Sequence, residues 1–398
     1  MNVADDQTPP ADAPATETMH PSHRRMVLRV ILVTHLVLAL LTGVGVAVGY
    51  QQLSGNIETL PGIPDEVDRP EKVTVEGPKQ PINILVMGDD TREGEGNGID
   101  KEAGAGGSDT TILLHVSADR EDAYGVSLPR DALVDRPECV MPDGEKVPGE
   151  KLAMFNDAFK LGGPLCTVQM VEKLTNIRID HQIVVDFNGF KDMVDAVNGV
   201  EVCIPKDVDD DEHDIHFDAG TQTLSGRQAL NYVRERYVLS VTGDIGRMKR
   251  QQAFIASMIN KVVSAGTLSR PNRVYNFLDA ATSSLKLDED LANLPALVDL
   301  AMQFKNTGLD DIKFITVPFA EYEPDPNRLV WTDKADDLWE RIRNDRRLGR
   351  EFSGDSLSAD DPVGTASGSP SGDGSPTAGE SEDAEAKAAA RLAAGLCA

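Results

Sequence analysis

The sequence predicts a layered α/β domain held to a membrane by one helix near its N-terminus. Three observations predict it. Residues 30–50 form an uncharged apolar run about as long as a bilayer-crossing helix. Short apolar runs of strand length, Ile82–Met87, Thr111–Val116 and Asp122–Leu128, then alternate with longer segments of helical character. Each of these runs begins or ends near an acid or an arginine, as in layered folds where a sheet fixes functional groups at its edge.

Charge narrows the possible ligands. The 398 residues carry 39 Lys+Arg against 66 Asp+Glu, a net charge of −27. A field of that sign does not attract nucleic acid or anionic lipid, so any anionic ligand has to be held by a local basic cluster. The length suits one large or two medium domains.

Taken in order, residues 1–25 are rich in Pro, Ala, Asp and Thr and read as a disordered tail. Residues 26–50 are the transmembrane helix. Arg24, Arg25 and Arg29 on its N-terminal side keep the tail cytoplasmic and put the rest of the chain outside. A cleaved signal peptide is the rival reading, but the run is longer than a signal core and lacks a clear small-x-small site. Residues 51–80, with Pro61, Pro64, Pro70 and Pro78, read as an extended extracellular spacer.

The globular part is assigned to residues 81–352. Its first strand ends in Gly88-Asp-Asp-Thr-Arg92, and a Gly-rich loop runs to Gly107 before Ser108-Asp-Thr110 opens the second. The third ends in Pro129-Arg130-Asp131. Helices are expected at Lys151–Gly163, Cys166–Thr175, Gly189–Asn198, Gln251–Ser264, Asp288–Phe304 and Thr332–Asn344. Strands are expected at His181–Phe187, Val200–Ile204 and Ile312–Pro318. Asp207–Asp214 is read as a solvated acidic loop rather than a calcium site, since its spacing fits no EF-hand. Residues 353–398 turn to Gly, Ser, Pro, Asp and Ala and read as a disordered acidic tail, with a short helix conceivable at Ala384–Leu396.

The most basic stretch, Tyr232–Gln252, holds Arg234, Arg236, Arg247, Lys249 and Arg250. On an extended backbone Arg234 and Arg236 leave from one face. Gly243, Asp244 and Gly246 make a turn, with Asp244 suited to cap the next helix. On that helix Arg247, Arg250 and Gln251 share a face. Guanidinium forks converging from two elements suit a multiply charged phosphate, against the plainer reading of surface ion pairs. Asp90 and Asp109 are hard oxygen donors that would suit Mg²⁺ bridging to phosphate, although each alone serves equally as a turn or strand cap. No residue stands out as general base; Asp109 or metal-bound chemistry is the nearest candidate.

Of the four cysteines, Cys139 and Cys166 lie in neighbouring segments and are the first candidates for a disulfide; Cys203 alternatively serves as a small buried residue. Zinc spacings, a P-loop and a Gly-x-Ser-x-Gly elbow are absent from the sequence.

Together these motifs resemble the LytR-CpsA-Psr (LCP) family from Ile82 to about Phe319. The resemblance rests on Gly88-Asp-Asp90-Thr-Arg92, Ser108-Asp109-Thr110, Ser127-Leu-Pro-Arg130-Asp131 and Phe155-Asn-Asp-Ala-Phe-Lys-Leu-Gly-Gly163. It continues through Val185-Asp-Phe187 and Arg234-x-Arg236 to Gly243-Asp-Ile-Gly-Arg247-x-x-Arg250-Gln251-Gln252. It implies a three-layer α/β/α domain with a central mixed sheet and a pocket for a lipid. The implied activity is a phosphotransferase that moves a glycopolymer, such as teichoic acid or arabinogalactan, from a polyprenyl-pyrophosphate carrier to peptidoglycan. Asp90 and Asp109 would hold Mg²⁺, with Arg92, Arg130, Arg234, Arg236, Arg247 and Gln251 lining the pyrophosphate. Asp90, Asp109, Arg130, Arg234 and Arg236 would form the catalytic set. Gly107 and Tyr237 depart from common family residues at their positions. The alternatives are a polyprenyl pyrophosphate phosphohydrolase and a non-enzymatic lipid-binding envelope regulator; no nucleic-acid partner is expected.

Overall fold

Ile84 and Val86 alternate with Leu85 and Met87, so both faces of this strand are apolar and it belongs in the middle of a sheet. It lies there. The computed structural model describes residues 21–90, 106–211, 215–236, 238–264, 270–304, 307–354, 356–361 and 378–397. The chain divides into two units, residues 1–52 and 53–398.

The first unit contains most of α1 (Pro21–Gly55), an apolar helix of mean hydropathy 2.4 over its best window and long enough to cross a membrane. It runs past both ends of the expected 26–50.

The second unit begins with β1 (Glu58–Thr59), β2 (Ile82–Asp89), β3 (Ser108–Val116) and β4 (Ala123–Leu128). Strands β5 (Ala132–Arg136), β6 (Cys139–Val140), β7 (Lys146–Val147) and β8 (Glu150–Met154) lead into α2 (Asp157–Thr175). Then come β9 (His181–Asp186), α3 (Phe187–Ala196), β10 (Val200–Ile204), the hairpin of β11 (Val208–Asp210) and β12 (Ile215–Phe217), and β13 (Gly220–Leu224). Helices α4 (Gly226–Arg234), α5 (Asp244–Ser264) and α6 (Pro271–Ser284) precede β14 (Leu285–Leu287) and α7 (Leu294–Gln303). After β15 (Ile312–Thr316), β16 (Phe319–Tyr322) and β17 (Asp325–Trp331) follow α8 (Asp333–Arg343), α9 (Arg350–Ser353), β18 (Leu357–Ser358) and α10 (Ala378–Ala393).

The central sheet is mixed and eight-stranded, in the order β1-β14-β9-β2-β3-β4-β15-β18. On one face Leu85, Met87, Leu113, Val126 and Ile315 pack against Val168, Met170 and Val171 of α2 and Leu338 and Trp339 of α8. On the other, Ala123, Ile312 and Phe314 meet Ala253 and Ala256 of α5. This is the expected α/β/α layering. A third cluster, with Val194, Val202, Leu224, Leu230 and Phe254, joins α3, α4 and the β10–β13 ribbon to α5.

Several expectations need correcting. Residues 58–72, read as a free spacer, are docked on the domain. Glu58 and Thr59 pair with Lys286 and Leu287, Leu60 is buried, and Arg69 binds Glu172 at 2.6 Å and the Ile179 carbonyl at 2.7 Å. The prolines keep this stretch extended, and the sheet edge pairs with it. Lys151–Met154 is strand rather than helix because Leu133 pairs with Met154; tertiary pairing overrides helix propensity. The helix starts at Asp157, and Gly162 and Gly163 break it at the expected place. Arg234 is the last residue of a helix, not part of an extended segment. The acidic stretch is partly a hairpin, with 212–214 outside the described residues. The C-terminal tail is ordered at both of its described ends: Leu357 pairs with Phe314, and Cys397 is bonded to Cys203. The Cys139–Cys166 disulfide is present, with Cα atoms 5.2 Å apart.

Candidate functional site

Strand direction gathers the polar motifs at one edge. β2 and β9 are parallel, β4 and β15 are parallel, and β3 runs against its neighbours. The ends of β2 and β4 and the start of β3 therefore share one rim. Gly88 pairs with Thr110 and Asp89 with Ser108, which leaves Asp109 as the extra residue of a β-bulge. A bulge re-aims a side chain that strict alternation would send elsewhere. Next to it Gly107 lies so close to Asn156 that a Cβ would come within 2.8 Å of Asn156 Nδ2, while Asn156 Oδ1 accepts from the Ser108 amide at 2.7 Å.

Asp109 is the hub. Arg130, just past β4, donates from Nη1 to Asp109 Oδ1. Arg236, just past α4, donates from Nη2 to Oδ2 at 3.2 Å. Arg247, in the first turns of α5, places Nη1 at 3.4 Å from Oδ2 and Nη2 at 3.4 Å from the Asp109 carbonyl. Burial alone would raise the Asp109 pKa, but Arg247, Arg130 and Arg236 outweigh it and hold it at about 2. Asp109 is thus a permanent anion and no general base, contrary to the expectation for that role.

Asp244 is the second anchor. It stands 2.7 Å from Arg247 Nη2 and 3.4 Å from Arg130 Nη2. Asp131 lies 3.5 Å from Arg130 Nε and 3.4 Å from Arg328 Nη1. Burial pushes the Arg130 pKa down, but Asp109, Asp244 and Asp131 outweigh it and the net shift is upward. Burial lowers that of Arg247, which has no exposed surface. Among the described residues Arg247 Nε has no hydrogen-bond partner. Sequence reasoning had read Asp244 only as a cap; its i, i+3 spacing from Arg247 was the available signal.

Four predicted residues, Asp109, Arg130, Arg236 and Arg247, therefore come together. Asp90 follows β2 directly, and its amide donates to the Gly107 carbonyl at 2.8 Å, beside the bulge. Asp90 and Asp109 are hard oxygen donors on adjacent strand ends, and the guanidiniums leave part of the lone-pair capacity of Asp109 unused, so this donor set fits Mg²⁺. Arg234 places its Cζ 4.8 Å from the centre of the Phe187 ring at the start of α3. Gln251 is turned away, its Nε2 donating to the Val233 carbonyl at 3.2 Å. Arg250, grouped with Arg247 by spacing, points instead to the Ala394 and Glu235 carbonyls. Arg92 lies outside the described residues.

The LytR_cpsA_psr family model matches residues 57–344. The chain is 32% identical over 265 residues to the cell wall biosynthesis protein LcpA of Corynebacterium glutamicum, a match covering 59% of this chain and 49% of that protein. It is 33% identical over 226 residues to the polyisoprenyl-teichoic acid–peptidoglycan teichoic acid transferase TagU of Enterococcus faecalis, covering 56% of this chain and 67% of that one. The match thus spans about half the length of LcpA. Among solved structures, TagT bound to LI-WTA has a TM-score of 0.52 at 23% identity, with 72% of this chain and 99% of that chain covered. The LytR-Csp2A-Psr enzyme from Actinomyces oris also has a TM-score of 0.52, at 19% identity, with 69% and 96% covered. These two likenesses establish a shared fold. The family model matches most of the chain and spans the rim that carries Asp109, Arg130, Arg236 and Arg247, so the chain belongs to the LytR-CpsA-Psr family.

Proposed function

We propose that this protein is a membrane-anchored extracellular phosphotransferase that attaches a glycopolymer from a polyprenyl-pyrophosphate carrier to peptidoglycan through a phosphodiester bond. The observation that carries the reading is the convergence of Arg130, Arg236 and Arg247 on Asp109, with the buried Arg247 Nε still open. The activity of the similar teichoic acid transferase TagU supports the substrate class. The apolar α1, with basic residues Arg24, Arg25 and Arg29 around its start, supports anchoring with the domain outside.

In this reading the acceptor hydroxyl attacks the glycan-bearing phosphorus and loses its proton to solvent, and the P–O bond to the polyprenyl phosphate breaks. A phosphate leaving group departs as an anion and needs no strong acid, so the protein's work is placement and charge neutralisation. Arg130, Arg236 and Arg247 are already fixed by Asp109 and Asp244, so little reorganisation is required when the pyrophosphate arrives. Arg234, on the Phe187 side, adds a further cation. Mg²⁺ held by Asp90 and Asp109 would supply additional neutralisation at the pyrophosphate.

The test is to incubate the full chain in nanodiscs with Mg²⁺, lipid-linked glycan and peptidoglycan oligomers. Phosphodiester-linked product supports the reading. Release of phosphorylated glycan to water regardless of acceptor would make the protein a phosphohydrolase. Lipid binding with no turnover would make it a regulator.

A further inference from the structure

We infer that the C-terminal segment Ala393–Cys397 is a latch that positions the loop leading from Arg236 to Arg247, and this rests on the anion-binding role proposed for those two arginines. That loop, residues 235–243, runs from the end of α4 to the start of α5 and so joins Arg236 to Arg247. Among its described residues, 235–236 and 238–243, there is no helix or strand. Three of its amides are satisfied from two sources, one within the loop and one outside it.

One source is Glu235, whose carboxylate accepts from the amides of Val238 at 2.6 Å and Leu239 at 2.9 Å. The other is the segment that follows α10. The Ala393 carbonyl accepts from the Val241 amide at 3.1 Å and from Thr242 Oγ1 at 3.4 Å. The Ala394 carbonyl accepts from Arg250 Nη1 at 3.0 Å, and the other arm of Arg250 donates to the Glu235 carbonyl. Arg250 has no exposed surface, so this guanidinium is a clamp between the loop and the C-terminal segment rather than a ligand-binding group. Its position one turn beyond Arg247 couples the clamp to the site through α5.

Two features hold the segment in place. Leu396 is buried beside Ala253, Ala256 and Phe314. Cys397 is bonded to Cys203 of β10, 194 residues earlier in the chain. Gly395 adopts φ +78, and a Cβ there would come within 2.6 Å of the Leu239 carbonyl, so the backbone seats directly against the loop. The segment itself lies beyond residue 344, where the family match ends. Without the segment, Arg250 Nη1 and the Val241 amide lose their partners, and a buried guanidinium donor left unpaired forces its surroundings to shift.

The test compares the full chain in nanodiscs with its Cys397→Ser variant and with a chain ending at Thr377, using hydrogen exchange and binding of geranyl pyrophosphate as probe. We expect amides of 238–243 to exchange roughly ten-fold faster in both variants while those of β2–β4 stay protected. The Kd for geranyl pyrophosphate should rise by about the same factor, and in turnover KM should rise more than kcat falls. Unchanged loop exchange in both variants overturns the latch. Equal acceleration throughout β2–β4 also overturns it, because that is plain loss of global stability. If the intact chain binds no geranyl pyrophosphate, the proposed function fails, and the exchange comparison still decides the latch.

Discussion

Arg247 Nη2 lies 2.7 Å from Asp244 Oδ1, one turn back on α5, while Nη1 of the same guanidinium lies 3.4 Å from Asp109 Oδ2. Two carboxylates from different elements thus hold one fully buried cation. Arg247→Ala should leave both partly uncompensated and destabilise the domain by about 3 kcal/mol. Transfer should fall by roughly 10²-fold or more, since a preorganised cation at the reacting phosphate is lost. Denaturant melts and product assays below the melting temperature separate the two effects. Normal transfer by a folded Arg247→Ala protein would remove this residue from the site.

The pKa of Asp109, about 2 against an ordinary 3.8, makes a second expectation. A folded pKa below the unfolded one means stability that is present above the unfolded value and lost as pH falls through the folded one. The Asp109 contribution, on the order of 2 kcal/mol, should therefore hold above pH 4 and fade between pH 4 and 2. Urea denaturation of wild type and Asp109→Asn across pH 5 to 2 reads it directly: the gap between the two should narrow on acidification. A gap that stays constant would show that the arginines do not hold the carboxylate in this way. Titration of Asp109 also cannot account for any change in rate near neutral pH.

How much of this was legible in the sequence depends on which kind of signal a residue carries. Asp109, Arg130 and Arg247 were readable because each stands at the end of an apolar run or one turn into a helix, where charge has few structural uses; Arg236 was picked from its spacing to Arg234 on an extended backbone, which the helix ending at Arg234 replaces. Arg250 and Gln251 were grouped with Arg247 because spacing puts all three within a broad arc of one helix. That arc is wide enough for one end to meet the sheet rim and the other to meet Val233 and Ala394. Helical spacing names a face but not what lies opposite it. The docking of Glu58–Leu60 and the Cys203–Cys397 bond were not readable, because their partners lie hundreds of residues away and four cysteines allow three pairings. The Cys139–Cys166 bond, closing a short separation of 27, was.

Gln252 gives a third expectation. Its Nε2 donates to Ser127 Oγ at 2.9 Å, the Ile315 carbonyl at 3.0 Å and Thr316 Oγ1 at 3.0 Å, and the side chain has no exposed surface. It fastens α5 to β4 and β15 just behind the site. Gln252→Leu keeps the volume but leaves buried polar groups of both strands without their donor, and should cost about 2 kcal/mol. Geranyl pyrophosphate binding by the folded variant should change far less than in Arg247→Ala. A melt indistinguishable from wild type would show that these contacts add nothing net.

The proposed Mg²⁺ requirement is tested at Asp90, the second carboxylate of the proposed pair. Removing divalent ions with EDTA should abolish transfer, and adding Mg²⁺ back should restore it. Asp90→Asn keeps the size of the side chain but removes one anionic oxygen donor, so the Mg²⁺ concentration needed for half-maximal rate should rise, by roughly 10-fold or more. Direct Mg²⁺ binding, measured by calorimetry in the presence of geranyl pyrophosphate, should weaken in parallel. An Asp90→Asn enzyme with the Mg²⁺ dependence of wild type, or a wild type that transfers fully in EDTA, would mean that the arginines neutralise the pyrophosphate without a metal.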